Sequence, residues 1–474
     1  MTGERTSMWV SSGAAILFSI TLGYLLLLVP IQTSDSFVNI LALDRPFGDV
    51  MREGVQGGYL RPGLWGALKL VYDLSQGDLF FWYRWTQVLQ VLLVLVLFVV
   101  LARPRTSSAT LAVLVALTVL IGHHSFAWTV REAFPINTFL TIVVCCALAA
   151  VLAFGVHRWW TDVAAALLFV FASVTVETGL LVGGIFLVCY GLGLRGVSWK
   201  GATAVAMLIA VYFVFRFGFL EAATPALNER EAGFLFRRYD GREIELMFTG
   251  RETVLYAYNF VASIVGTLIA EPRDGVLRLT RSILEGKPDL TMIVGVVSST
   301  LATILIARFV WLRRAAWRRL EFQRDDQIVI LFLLVLLANS AISYAYTKDV
   351  IMSPAGFFFA AAFFVACRDF IDALTARSSV PGFSRTAQAV GLAVMLILSV
   401  TWSIRAVGLH AALTQTAYRV REQWAYVDEF VQRRYQPVPP KVEALKKQLQ
   451  TDAVITRPQR PELRETLTML FEMD

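Results

Sequence analysis

Eleven long apolar runs decide what this chain can fold into. Many approach the roughly 20 residues that an α-helix needs to cross a bilayer core, and a chain in lipid must satisfy its backbone hydrogen bonds within its own helices. The usage of 57% hydrophobic and 17% charged residues over 474 positions agrees. We therefore predict an all-α, multi-pass integral membrane protein with about 11 transmembrane helices. The runs cover residues 12–31, 86–102, 109–122, 134–154, 162–176, 179–194, 201–219, 290–312, 327–345, 350–367 and 386–404.

The basic residues predict the orientation. The formal net charge is +7, but the charges lie between apolar runs, as in loops held on the cytoplasmic face, so the basicity indicates topology and not nucleic-acid binding. These loops can all be cytoplasmic if the N-terminus is inside and the C-terminus outside. They contain Arg103 and Arg105, His157 and Arg158, Arg195 and Lys200, residues 313–324, and Arg368, Arg377 and Arg385.

The same scheme divides the chain into four parts. Residues 1–219 form a transmembrane core with a long external loop at 32–85, and residues 220–289 form a second external loop. Within that loop, 254–270 is apolar enough to span, but counting it would reverse the basic loop at 313–324, so we place it along the outer interface or as a re-entrant helix. Residues 290–404 return to the membrane, and 405–474 form an external tail. Val420, Trp424, Val427 and Val431 predict an amphipathic helix there.

Residues 162–194 allow one tilted helix or two short ones. One helix would reverse every later loop, so we predict two helices that turn at Glu177 on the external side. The run at 12–31 is too long for a signal-peptide core and is expected to remain as the first span. The four cysteines lie in or at the ends of apolar runs, without the spacing of a disulfide framework or a metal site.

Polar residues gather on the predicted external face. Carboxylates, histidines and cations at the mouth of a helical bundle suit a transfer reaction on a lipid-linked anion: a base for an acceptor hydroxyl and cations for a leaving phosphate. The candidates are Asp35, Arg61, His123, His124, Arg131, Glu132, Glu177 and Lys348.

Structural roles stay open for several of these residues. Asp35 in "TSDS" also suits a helix cap, and the two histidines also suit the interface. Arg61 before Pro62 also suits the start of a short helix, and Lys348 also suits a helix end that reaches lipid headgroups.

Several short motifs in the first 200 residues resemble one known family. An Asp just after the first span is followed by "YLRP" at 59–62 and "GALKLVYDL" at 66–74, then by His123 or His124 with Glu132, and by "VETGL" at 176–180. This arrangement resembles the GT-C superfamily of polyprenyl-phosphate-sugar glycosyltransferases, closest to the protein O-mannosyltransferase branch. Two positions depart from that pattern: Ser36 stands where a second acidic residue is usual, and Val176 replaces a lysine.

The resemblance implies roles for the candidates. Asp35 would be the general base, with Glu177 the other catalytic candidate because it would orient a cation or a histidine. Arg61 first, then Arg131 and Lys348, would hold the phosphate, with His123, His124 and Glu132 in the substrate site. The donor would be a polyprenyl-phosphate-linked sugar at the outer face of a bacterial-type inner membrane, a divalent metal stays open, and the acceptor is not specified.

Two other functions remain open. A transporter or flippase of a lipid-linked substrate is disfavoured because we find no internal repeat and because the polar residues crowd one face instead of the midplane. A catalytically silent GT-C-like assembly subunit is favoured by Ser36.

Overall fold

The computed structural model describes residues 2–27, 43–53, 55, 60–76, 79–131, 138–220, 226–227, 232–271, 276–345, 348–378, 385–421, 428, 431–432 and 435–455. In the first half, the regular secondary structure of these residues is helical. Its helices are α1 Thr2–Leu27, α2 Phe47–Glu53, α3 Pro62–Ser75, α4 Leu79–Ala102, α5 Ser107–Gly122, α6 His124–Arg131, α7 Thr138–Ala153, α8 Trp159–Ser173, α9 Leu180–Gly191 and α10 Trp199–Phe213.

The second half adds one small hairpin and eight helices. A π-helical segment, Val214–Phe219, continues α10, and strands β1 Ala232–Phe234 and β2 Arg237–Tyr239 pair antiparallel. The remaining helices are α11 Gly241–Phe248, α12 Glu252–Ile269, α13 Arg278–Leu284, α14 Leu290–Arg318, α15 Arg324–Ile342, α16 Ser353–Ser378, α17 Arg385–Arg421 and α18 Pro440–Ile455.

Eight of the described helices are long and apolar enough to cross a membrane. The apolar segments belong to α1, α4, α10 with its π-helical continuation, α12, α14, α15, α16 with the 3-10 turn before it, and α17. Four shorter apolar helices lie among them, at Ser107–Gly122, Thr138–Ala153, Trp159–Ser173 and Glu177–Gly191. Each of the eleven predicted spans is helical over at least most of its length, whereas the number that cross the bilayer stays a prediction.

Helix α16 forms the centre of the bundle. Every residue from Ile351 to Cys367 is buried, and α16 packs against α5, α14 and α15. A helix that is apolar on all sides, as in "FFFAAAFFVAC", is expected in such a central position. Around it, α1 packs on α4, α4 on α7, and α9 on α7 and α10.

Contacts at the two ends of the bundle agree with the predicted sides. At the predicted cytoplasmic end, Arg313 pairs with the fully buried Asp326 at 2.6 Å. At the predicted outer end, Asn259 of α12 donates to the carbonyl oxygen of Tyr344 at 2.9 Å. Residues that the basic-loop pattern places on one side therefore meet one another, and the sidedness itself stays a prediction.

Helix α12, the segment that resisted the topology scheme, packs against α14 and α15. The carbonyl oxygen of Leu268 accepts a hydrogen bond from Thr303 in the first half of α14, at 2.5 Å. Its length and composition would let it cross a membrane. Its placement along the outer interface or as a re-entrant helix stays a prediction.

The predicted external loop and the tail pack together. Leu43, Leu68 and Tyr83 share an apolar cluster with Val431 and Val442 of the tail. Val431 belongs to the predicted amphipathic helix, in which the Trp424 and Val427 positions and the Val420 side chain lie outside the described part. The tail is thus fixed on the first loop.

Candidate functional site

Arg61 is placed by the start of α3. Pro62 occupies the first turn of the helix, where its missing N–H leaves no donor unpaired. The next residue, Gly63, donates its backbone N–H to the carbonyl oxygen of Val174 at 2.9 Å. A Cβ atom on Gly63 would lie 2.8 Å from a methyl of Val174, so glycine permits this approach. "RPG" therefore fixes α3 against the segment that precedes Glu177.

Glu177 lies in the tight turn between α8 and α9. A 3-10 turn at Glu177–Gly179 separates the two helices, which pack against each other. A Cβ atom on Gly179 would lie 2.0 Å from the backbone oxygen of Ala172, so only glycine fits this turn. The predicted pair of helices with a turn at Glu177 is confirmed.

Arg216 comes from the π-helical continuation of α10. Its Nη1 atom donates to the hydroxyl of Tyr212, one helical turn earlier, at 2.7 Å. The π-helical backbone changes the direction in which side chains leave the helix, and such segments recur at functional sites. Here Arg216 reaches Glu177.

The three side chains form one ion-pair cluster, which we call the Glu177 cluster: Arg61, Glu177 and Arg216. The Nη2 atom of Arg61 donates to both carboxylate oxygens of Glu177, at 3.1 and 2.9 Å. The Nη2 atom of Arg216 donates to one of the same oxygens, at 2.9 Å. The cluster joins the first predicted external loop, the α8–α9 turn and the end of α10, and carries one net positive charge.

Partial burial strengthens the ion pairs of the Glu177 cluster and still leaves each side chain partly exposed. The side chains of Arg61, Glu177 and Arg216 are 33%, 24% and 12% exposed. Burial alone would raise the pKa of the Glu177 carboxyl, but the charges of Arg61 and Arg216 outweigh it and hold that pKa below its usual value. The carboxylate is therefore ionised at neutral pH and fixes two guanidinium groups beside each other.

Apolar rings flank the Glu177 cluster. Phe213, Phe217 and Phe219 are 43%, 55% and 75% exposed, and the rings of Phe213 and Phe217 stack with centroids 5.9 Å apart. Exposed phenyl groups on a membrane helix suit hydrocarbon. Cationic and hydrocarbon-compatible groups thus lie side by side at the end of α10.

A second polar cluster surrounds the two histidines. His124 lies 3.6 Å from Asp349, and its ring stacks on that of His123 at 4.6 Å. Both histidines and Asp349 are buried. Lys348, the neighbouring candidate, is exposed and lies directly before the 3-10 turn at Asp349–Met352.

The hydrogen bonds of His123 fix its tautomer. Its Nε2 atom lies 3.0 Å from the carbonyl oxygen of Thr267, which can only accept, so Nε2 carries the proton. The Nδ1 atom then accepts from the hydroxyl of Ser125 at 2.8 Å. Burial and the nearby Arg405 lower the pKa of His123. His123 is a neutral ring that joins α12 to the α5–α6 turn, and its place in a substrate site stays a prediction.

Three candidates are not placed by the structure. Asp35 and Glu132 lie outside the described residues, and of Arg131 only the backbone, at the end of α6, is described. Their roles stay predictions. Among the described residues, no group of three His, Cys, Asp or Glu side chains could hold a metal ion.

Two arginines were missed by the sequence analysis. Arg216 lies inside the apolar run at 201–219, and Arg84 stands just before the run at 86–102 and is fully buried, with a hydrogen bond to Gln87 at 2.6 Å. Each is a cation at the end of an apolar run. A charge retained there is expensive unless it has a partner or a function, so such residues could have been singled out.

Comparison of the chain with protein-family models, with curated proteins and with solved structures finds no match.

Proposed function

We propose that this protein is a membrane glycosyltransferase that moves a sugar from a polyprenyl-phosphate carrier to an acceptor at the outer face of an inner membrane. The observation that carries the proposal is the Glu177 cluster, in which one carboxylate holds two guanidinium groups beside exposed phenyl rings. A lipid-linked phosphate needs both surfaces, because its head is anionic and its tail is hydrocarbon.

The charge of the cluster suits a leaving phosphate. A sugar linked to the carrier is a phosphodiester with one negative charge, and it leaves as a monoester with up to two. Cations that meet the developing charge stabilise the transition state more than the ground state, which is what accelerates a reaction. Arg61 and Arg216 are the side chains we assign to this role, and Glu177 positions them.

The proposed reaction inverts the sugar carbon. The acceptor hydroxyl oxygen bonds to the anomeric carbon, the bond from that carbon to the phosphate oxygen breaks, and the electron pair leaves with the phosphate. Asp35 takes the hydroxyl proton. This role for Asp35 comes from the family resemblance.

Lipid analysis tests the proposal. Cells without the protein should accumulate the sugar-loaded carrier, which mass spectrometry of lipid extracts detects, and the intact chain should remove it. Arg216→Gln should restore no turnover while the protein still reaches the membrane. Arg281→Gln, which removes an exposed arginine paired with Glu285 outside the cluster, should behave as the unaltered chain.

Two outcomes would overturn the proposal. One is full turnover by folded Arg61→Gln and Arg216→Gln proteins. The other is movement of the loaded carrier across vesicles by the purified protein without any sugar transfer, which would favour a transporter.

A further inference from the structure

A cleft of about 350 Å³ lies at the predicted cytoplasmic end of α1 and α4. Three arginines line it: Arg5 from the first turns of α1, and Arg103 and Arg105 from the loop after α4. The cleft shares no residue with the Glu177 cluster, which lies at the predicted outer end, and plays no part in the proposed reaction.

The backbone explains how the arginines meet. Arg103 has a left-handed backbone, with φ of 48°, which ends α4 and turns the chain sharply. Helix α1 packs along α4, so Arg5 comes beside that turn. A Cβ atom on Gly23 would lie 2.9 Å from a methyl of Val88, which shows how closely the two helices approach.

Positive side chains outnumber negative ones in the lining of the cleft. Glu4 is the acidic residue in its lining, and its carboxylate lies 3.9 Å from Arg105 while both side chains are more than half exposed. Such an exposed ion pair contributes little to the stability of the fold. The charge of Arg324, which donates to the carbonyl oxygen of Leu101 at 2.7 Å, acts on the same region.

Helix-end electrostatics do not account for all of these cations. Arg103 and Arg105 follow the carboxyl end of α4, where a cation is favoured by the helix dipole. Arg5 is at the amino end of α1, where a cation is disfavoured. An anion in the cleft would satisfy all three.

The surface beside the cleft is apolar. Trp9 is 77% exposed and Val10 is 48% exposed on α1, and Val100, which lines the cleft, is 37% exposed on α4. A tryptophan at this level is typical of the boundary between headgroups and hydrocarbon. We propose that the cleft binds the phosphate headgroup of an anionic membrane lipid, with its acyl chains along Trp9 and Val100.

Titration of the purified full chain in neutral detergent tests this site. Phosphatidylglycerol should bind, as seen by native mass spectrometry and by a raised midpoint of thermal unfolding, whereas phosphatidylcholine should give no shift. The triple variant Arg5→Gln, Arg103→Gln, Arg105→Gln should bind phosphatidylglycerol about a hundredfold more weakly, since each basic residue at an anionic surface contributes a factor of about five.

A matched variant distinguishes binding in the cleft from a general effect of the protein's positive charge. Arg314→Gln, Arg318→Gln, Arg319→Gln removes the same charge from exposed positions at the same predicted end and should keep the affinity. Equal loss in both triple variants would overturn the proposal. The same shift from inorganic phosphate at equal concentration would assign the cleft to a soluble anion and overturn the lipid assignment.

A second variant tests the site if the triple cleft variant does not fold, because it is expected to gain affinity. Glu4→Gln removes a negative charge beside Arg105 and should tighten phosphatidylglycerol binding about two- to fivefold. Unchanged or weaker binding by Glu4→Gln would overturn the proposal.

Discussion

The guanidinium of Arg61 donates two hydrogen bonds to the carboxylate of Glu177, 116 residues later in the chain, at 2.9 and 3.1 Å. Because the same carboxylate also accepts from Arg216, the contact joins three segments that are distant in sequence. A carboxylate held by two cations is poorly suited to be a base. Its geometry suits positioning, which is the role the proposed mechanism gives it.

A double-mutant cycle measures the interaction free energy between Arg61 and Glu177. Arg61→Gln and Glu177→Gln should each lower the free energy of unfolding, and their coupling should be about 1–3 kcal/mol, because both partners are mostly buried. Arg237 and Glu243, whose side chains are 63% and 36% exposed, are the control pair, with an expected coupling below about 1 kcal/mol. Thermal and denaturant unfolding in detergent provide the values. Equal coupling in the two pairs would show that the Glu177 cluster contributes no special stability.

Acid should weaken the same cluster. The pKa of Glu177 lies below its usual value of 4.5 in the folded protein, so the unfolded chain binds the proton more tightly and acid favours unfolding. The stabilisation should be complete above about pH 5 and should be lost as the pH falls below the usual value. Glu177→Gln should show a flatter dependence of the unfolding midpoint on pH in this range than the unaltered chain. Parallel curves for the two proteins would contradict the lowered pKa.

The sequence predicted part of this site for clear physical reasons. The topology constraint required a turn at Glu177, and a buried carboxylate requires a partner, so the sequence predicted a cation or a histidine beside Glu177. Which cations lie beside Glu177 was harder to predict. Arg61, Arg131 and Lys348 are equivalent by charge, and the choice of Arg61 depends on the close packing of Gly63 on Val174.

Arg216 was missed because the residues around it do not reveal the π-helical segment. "VFRFGF" continues the apolar run of α10, and Gly218 alone does not predict a change of helix type. Arg216 donates to Tyr212 one helical turn earlier and to Glu177, which lies 39 residues earlier in the chain. The contact with Glu177 is long-range, and such a contact cannot be predicted from hydrophobic periodicity.

The turn at Glu177 should tolerate no side chain at Gly179. Gly179→Ala would place a methyl group against the backbone of Ala172, which cannot move without breaking the turn, and we expect a loss of at least about 2 kcal/mol in stability. Gly184→Ala is the matched control in α9, since nothing lies within 4 Å of its Cβ position. It should leave stability unchanged or raise it by up to about 1 kcal/mol. Thermal unfolding of the two variants in detergent distinguishes these results.

The side of the membrane on which the Glu177 cluster opens follows from the orientation, and labelling of introduced cysteines measures it. All four native cysteines are free and buried, so they should react slowly with a membrane-impermeant maleimide. Arg52→Cys in the first predicted external loop replaces a side chain that is 72% exposed, and Arg105→Cys replaces one that is 68% exposed. We expect Arg52→Cys to be labelled in intact cells and Arg105→Cys only after permeabilisation, because basic loops stay on the cytoplasmic side. The reverse pattern would place the cluster in the cytoplasm, where the proposed transfer at the outer face could not take place.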